Sequence, residues 1–152
     1  MKDRECDMFK YAEKCLYDYK RNVACLELLR SDLRLERSGT DVHAQNYQYA
    51  FNFTGTPANP VEARLLRIER IEERILQLER CTQPISRMIE DLQAPYVHEG
   101  SAKADMYPLM ELYYFGQNSL TLVLSELHIS KPILYKRRRI LVRMLMGYMG
   151  YL

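Results

Sequence analysis

From Asp3 to Arg37 the chain contains neither glycine nor proline and is rich in Leu, Glu, Lys and Arg. That composition favours one long uninterrupted helix. Met8, Ala12, Cys15, Tyr19, Val23, Leu26, Leu29 and Leu33 recur at steps of three and four, which sets them along one face. An amphipathic helix of this length cannot bury its stripe alone and needs a second element.

The sequence offers one. Asn59 can cap, Pro60 suits a first helical turn, and Glu62 stands where a capping box places an acid. Beyond this start, Ile68, Ile75, Thr82 and Ile89 share one heptad position, and Ile71, Leu78, Ile85 and Leu92 share another. The flanks are charged, as in a coiled coil. Ile68, Ile71, Ile75 and Leu78 are therefore the candidate oligomerisation residues. The alternative is that the two helices pair as an antiparallel hairpin within one chain. Pro84 falls inside the second helix and should kink it, or restart it with Thr82 as a new cap.

Residues 38–59 carry almost no charge and no helical period, and read as a loop. Within the loop, Tyr47, Tyr49, Phe51 and Phe53 alternate with other residues, which suggests a short extended piece in the aromatic stretch 42–56. A second loop-like stretch, with Pro95, Gly100 and Ser101, follows the second helix. The expected organisation is thus all-α. A helical hairpin or coiled coil occupies residues 1–97, and a helix-turn-helix module occupies residues 98–152.

Three short helices are expected in that second part. The first spans about Asp105 to Phe115, with Leu109, Leu112 and Tyr113 inward and Gly116 ending it. Ser119 starts the next, in which Leu120, Val123, Leu124 and Leu127 are spaced for an inner side. His128 and Ile129 form a tight corner, Ser130 caps the last helix, and Pro132 is tolerated in its first turn. In this last helix Leu134, Leu141 and Leu145 share one face, and Ile133, Lys136, Arg137 and Ile140 lie on or near the opposite one.

Charge gives this helix its chemistry. After Glu126 there are six bases and no acid, which leaves 16 bases and 20 acids before it. A basic carboxyl end on an acidic body points to a polyanion as partner. Lysine and arginine neutralise phosphates and release counterions, and arginine can also grip a guanine edge with two parallel hydrogen bonds. The free amino end of the helix adds backbone donors for one phosphate. Ser130, Lys131, Ile133, Lys136 and Arg137 are near enough to the helix start to meet bases or the first phosphate. Arg139 and Arg143 suit phosphates farther along. Arg138 shares the side of Leu134 and Leu141 and should lie partly against the protein.

Other classes fit poorly. An apolar content of 47% argues against wholesale disorder. The uncharged tail Met144 to Leu152 falls well short of the roughly 20 residues of a membrane span. The amino terminus is charged from Lys2 onward, unlike a signal peptide, so a cytoplasmic location is expected. Cys6, Cys15, Cys25 and Cys81 match no zinc or CxxC spacing and read as reduced thiols on helix faces. No nucleophile elbow, P-loop or HExxH motif is present. The chain is expected to be no enzyme and to use no cofactor or metal.

The stretch MELYYFGQNSLTLVLSELHISKPILYKRRRILVRML resembles the sigma-factor-like helix-turn-helix of RinA/ArpU-type phage transcriptional regulators. The resemblance rests on Tyr114-Phe115, Leu127-His128-Ile129-Ser130 and Tyr135-Lys136-Arg137-Arg138-Arg139, and extends weakly back to Gly55. It implies a phage or prophage protein in the bacterial cytoplasm, binding promoter DNA to activate late or packaging genes. Thr121 and Leu122 stand where that family has acids, and Leu124 where it has a small residue. Leu124 would hold the two helices apart, and the added apolar surface would suit a second subunit or host RNA polymerase. Two alternatives remain open from the residues: a DNA-packaging protein like a small terminase subunit, or a helical interaction protein without DNA. The partners expected are double-stranded DNA and a second copy of the chain, a dimer before any larger ring, and no membrane.

Overall fold

A helix ends where its carbonyls find other donors and the chain finds a backbone turn. In the computed structural model, which describes residues 2–39, 59–94 and 103–152, the first helix, α1 (Lys2–Ser38), ends in this way. Gly39 follows with φ +73°, a left-handed conformation that costs glycine little. Arg64 Nε donates to the carbonyl of Glu36 at 2.8 Å. The second helix, α2 (Pro60–Gln93), begins as its sequence suggests, with the Val61 amide donating to Asn59 Oδ1 at 3.1 Å. Pro84 lies inside α2 without restarting it: the helix is continuous and Thr82 is a buried mid-helix residue rather than a cap. One missing donor removes one rung of the ladder, and the rungs on either side carry the helix through.

The chain divides into two compact units. The unit of residues 24–79 is a pairing of the second part of α1 with the first part of α2. Arg30 meets Glu79 at 2.9 Å and Arg37 pairs with Glu72, so numbers rise along one helix as they fall along the other and the pairing is antiparallel. Leu26, Ile75 and Leu78 are buried together, with Cys25, Leu29, Leu33 and Ile71 partly buried around them. Of the two arrangements open to the heptad rows, the hairpin within one chain is the one seen. Ile75 and Leu78, expected to join copies of the chain, instead face α1, with Ile71 at the margin and Ile68 half-buried.

The other unit joins residues 1–23 to residues 80–152. Its core takes Ala12, Cys15 and Leu16 from α1 and Ile85, Met88 and Leu92 from α2. The remaining core residues come from three carboxyl-terminal elements. α3 (Met106–Leu109) runs on into a π-helical stretch, Met110–Phe115. α4 (Leu120–Leu127) and α5 (Lys131–Tyr148) follow. The packing thus includes both long helices with the described carboxyl-terminal segment, residues 103–152. No strand occurs among the described residues, and the aromatic stretch 42–56, with its expected extended piece, lies outside them. Nor is any helix among them long and apolar enough to cross a membrane.

The π-helical turn changes which residues face inward. Met110 and Tyr114 are fully buried, whereas Leu112 and Tyr113, expected inside, are half-buried at the edge. A π turn takes one more residue than an α turn, so the inward position moves along the chain. Gly116 closes this element, and not because of its φ, which is −79°. A Cβ there would lie 2.6 Å from Asn118 Nδ2, the atom that donates to the Leu112 carbonyl at 2.9 Å. The left-handed residue is Gln117, with φ 49°.

Candidate nucleic-acid interface

The corner between α4 and α5 is built by backbone hydrogen bonds. His128 adopts the left-handed conformation, with φ 51° and ψ 41°. Its amide donates to the Ser125 carbonyl at 3.3 Å, and the Ile129 amide donates to the Leu124 carbonyl at 3.2 Å. These two bonds form a Schellman motif, with a histidine in the place usually held by glycine. At the other end of α4 the Ser119 hydroxyl accepts from the Leu122 amide at 3.4 Å. Val123 is fully buried, and Leu120, Leu124 and Leu127 pack partly against the core. Leu124 therefore sits at the core's edge, and the surplus apolar surface of α4 comes down to Leu122, which is 43% exposed.

Ser130 holds the cap position of α5 by its backbone, its carbonyl accepting from the Leu134 amide at 3.0 Å. The expected side-chain cap is not made. A capping hydroxyl accepts from the second or third amide of a helix, and the second residue here is Pro132, which has none. Leu134, Leu141, Val142 and Leu145 are fully buried and fix the rotation of α5. That rotation turns Lys136, Arg139 and Arg143 outward, with Lys131 exposed at the helix start. Ile133 and Ile140 are also outward, at 44% and 41% exposure.

The six basic residues of α5 divide into two groups. Lys131, Lys136 and Arg139 have no acidic partner among the described residues. Arg137, Arg138 and Arg143 each have one. Arg137 meets Asp105 at 2.7 Å, and Arg143 approaches Glu5 at 3.6 Å. Arg138 is the most enclosed of the three. Its guanidinium grips Glu13 of α1 with two nitrogens, one of them at 2.9 Å from Oε2, and lies near the Tyr113 and Tyr135 rings. The Tyr114 hydroxyl donates to the same carboxylate at 2.9 Å. Burial by itself would raise the pKa of Glu13, but the hydrogen bonds from Arg138 and Tyr114, with the charge of Arg138, outweigh it and hold the carboxyl below the usual value. Burial and the neighbouring Glu13 push the Tyr114 phenol up, so it remains a donor.

Arg138 lies against the protein, as its place beside Leu134 and Leu141 predicts, but its partner is not evident from the sequence of α5. One signal was present: Glu13 lies four residues after Phe9 and three before Leu16, on the border of the apolar stripe, where a carboxylate needs a cation. Nothing in the sequence linked Asp105 or Glu5 to α5. The four cysteines are free thiols, of which Cys6 is exposed. Cys15 is buried, and its thiol is pushed up to about 12, chiefly by burial and then by the neighbouring Cys81. Among the described residues no three His, Cys, Asp or Glu side chains gather as a metal-binding group.

The arrangement can present positive charge on a rigid helix, with a packed side, a fixed corner and an outward basic face. No protein-family model, no characterised protein and no solved structure matches this chain.

Proposed function

We propose that this chain is a double-stranded DNA-binding regulator of the RinA/ArpU phage type, with α5 as its recognition helix. The observation that carries the reading is the rotation of α5: its leucines are buried while Lys136, Arg139 and Arg143 face outward beyond a tight helix-turn-helix corner. Lys131, Ile133 and Lys136 are the groove-facing residues of this proposal, with Ser130 and the first turn beside a phosphate. Arg139 and Arg143 contact the backbone. Arg137 joins them by exchanging Asp105 for DNA. The setting is the cytoplasm of a bacterial host, where the regulator activates late or packaging genes, with RNA polymerase as a further partner. A second copy of the chain is the other partner. Since Ile75 and Leu78 are engaged within the chain, the apolar surface left for it on the two long helices includes Leu28, Val61, Leu65, Leu66 and Leu76, each more than half exposed.

Binding to random-sequence duplexes, followed by fluorescence anisotropy across a salt series, tests the reading. Each phosphate neutralised contributes about −0.9 to the slope of log affinity against log salt. The three cations placed on the backbone, Arg137, Arg139 and Arg143, give a slope of about −2.7, and Arg139→Ala together with Arg143→Ala should reduce it to about −0.9. Failure to bind any duplex at low salt would remove the proposal. Mass in solution addresses the second copy: a dimer fits a regulator, whereas a ring of eight or more copies would favour DNA packaging.

A further inference from the structure

α5 leaves two of its isoleucines in solvent. The helix sends Leu134, Leu141, Val142, Leu145 and Met146 into the core, all at most 1% exposed, yet Ile133 and Ile140 stand out at 44% and 41%. They are seven residues apart, so they project from the same face two turns from one another, about 10 Å along the axis. Lys136 lies on that face between them, with Arg139 and Arg143 beside it. Lys136 and Arg139 have no acidic partner among the described residues and Arg143 approaches Glu5 at 3.6 Å, so the strip is apolar and cationic together with one acid at its far edge.

A partner for this strip must offer small apolar groups inside a strongly anionic setting. The major groove of DNA does so: each thymine presents its 5-methyl group at the groove floor between two phosphate walls. The i, i+3, i+7 spacing of Ile133, Lys136 and Ile140 is the periodicity with which a helix lying in the groove shows side chains to successive bases. Ten ångströms corresponds to about three base-pair steps of 3.4 Å.

We propose that Ile133 and Ile140 read the 5-methyl groups of two thymines about three base pairs apart, with Lys136 addressing a guanine edge or phosphate between them. The inference rests on the DNA-binding reading above and adds sequence preference to it. Pro132 and Ile133, which leave the start of the helix poor in hydrogen-bonding side chains, then mark a site read by methyl contact.

The test selects duplexes for the full-length chain from unmodified random DNA, in which thymine is the one source of this methyl group. The best duplex is then remade with deoxyuridine at its thymine positions, which deletes the methyl and keeps base pairing. Burial of one methyl contributes about fourfold in affinity, so two contacts give about sixteenfold. The wild-type chain should lose that factor on the deoxyuridine duplex. Ile133→Ala with Ile140→Ala should bind both duplexes alike, at about the affinity of wild type for the deoxyuridine form, with helicity unchanged by circular dichroism because both side chains are exposed.

Equal wild-type affinity for the two duplexes, with weakened binding by Lys136→Ala, would overturn methyl reading and leave DNA binding standing. A thymine preference retained by the double variant would overturn the assignment to these residues. Absence of binding to every duplex would remove the DNA-binding reading and this inference with it.

Discussion

Glu13 shows how one carboxylate can set the position of a helix far along the chain. It accepts from Arg138 through both oxygens and from Tyr114, and its side chain is only 14% exposed. A carboxylate this enclosed is stable only with its charge compensated. Glu13→Gln keeps the shape and removes the charge, leaving the Arg138 guanidinium with a neutral partner. The expected cost is about 1.5–3 kcal/mol of unfolding free energy at pH 7, the range for hydrogen bonds to charged groups. The pH dependence has a definite sign. The folded chain holds Glu13 below its unfolded value of about 4.3, so its contribution is complete above that value. It declines as pH falls through the lower folded pKa. Urea unfolding of wild type and variant from pH 7 to pH 3 should show their difference shrinking on acidification. A difference that stays constant, or grows, contradicts the assignment.

At the level of elements, α4 and α5 have the ends their sequences mark, because Ser119, the His128 corner and the fixed φ of Pro132 are local signals. The heptad of α2 was legible as a stripe, since Ile75, Leu78, Ile85 and Leu92 are all buried. What covers the stripe was not legible: an apolar row reads the same whether its partner is α1 or another copy. The π-helical turn at Met110–Phe115 was also hidden, because no residue type specifies it and the packing of Met110 and Tyr114 does. The partners of Arg137, Arg138 and Arg143 depend on long-range contacts that charge patterning along one helix cannot reveal. At Pro84 the structure excludes the restart and not the kink, the helix continuing through a residue that cannot donate. Pro84→Ala restores a donor to the Arg80 carbonyl and relieves the ring's clash with it, and Pro is about 3 kcal/mol worse than Ala within a helix. A stabilisation of about 1–3 kcal/mol is expected, read as a higher urea midpoint. A lower midpoint would mean that the ring's packing at this half-buried position outweighs the missing hydrogen bond.

On the scale of the whole molecule, the basic helix is not carried by a module of its own. The unit containing it closes over side chains from residues 1–23 and 80–94 as well as from the segment after residue 103. Ala12, Leu16, Ile85 and Met88 are fully buried within it, so removing residues 1–97 would expose the apolar faces they cover, Tyr114 and Leu141 among the residues of that core. The same cut removes Glu13 from Arg138, Glu5 from Arg143 and Asp91 from the Tyr148 hydroxyl. A fragment of residues 98–152 is also below the size at which a single core holds a chain together comfortably. It should therefore show no cooperative thermal transition by circular dichroism, whereas the full chain should show one. If the full chain binds duplexes and the fragment does not while its basic residues are all present, charge alone does not suffice, and the proposed binding depends on the rotation imposed on α5 by its packing. A fragment that melts cooperatively and binds duplexes with the salt slope of the full chain would show the opposite. The long helices would then add no stability that the basic helix needs.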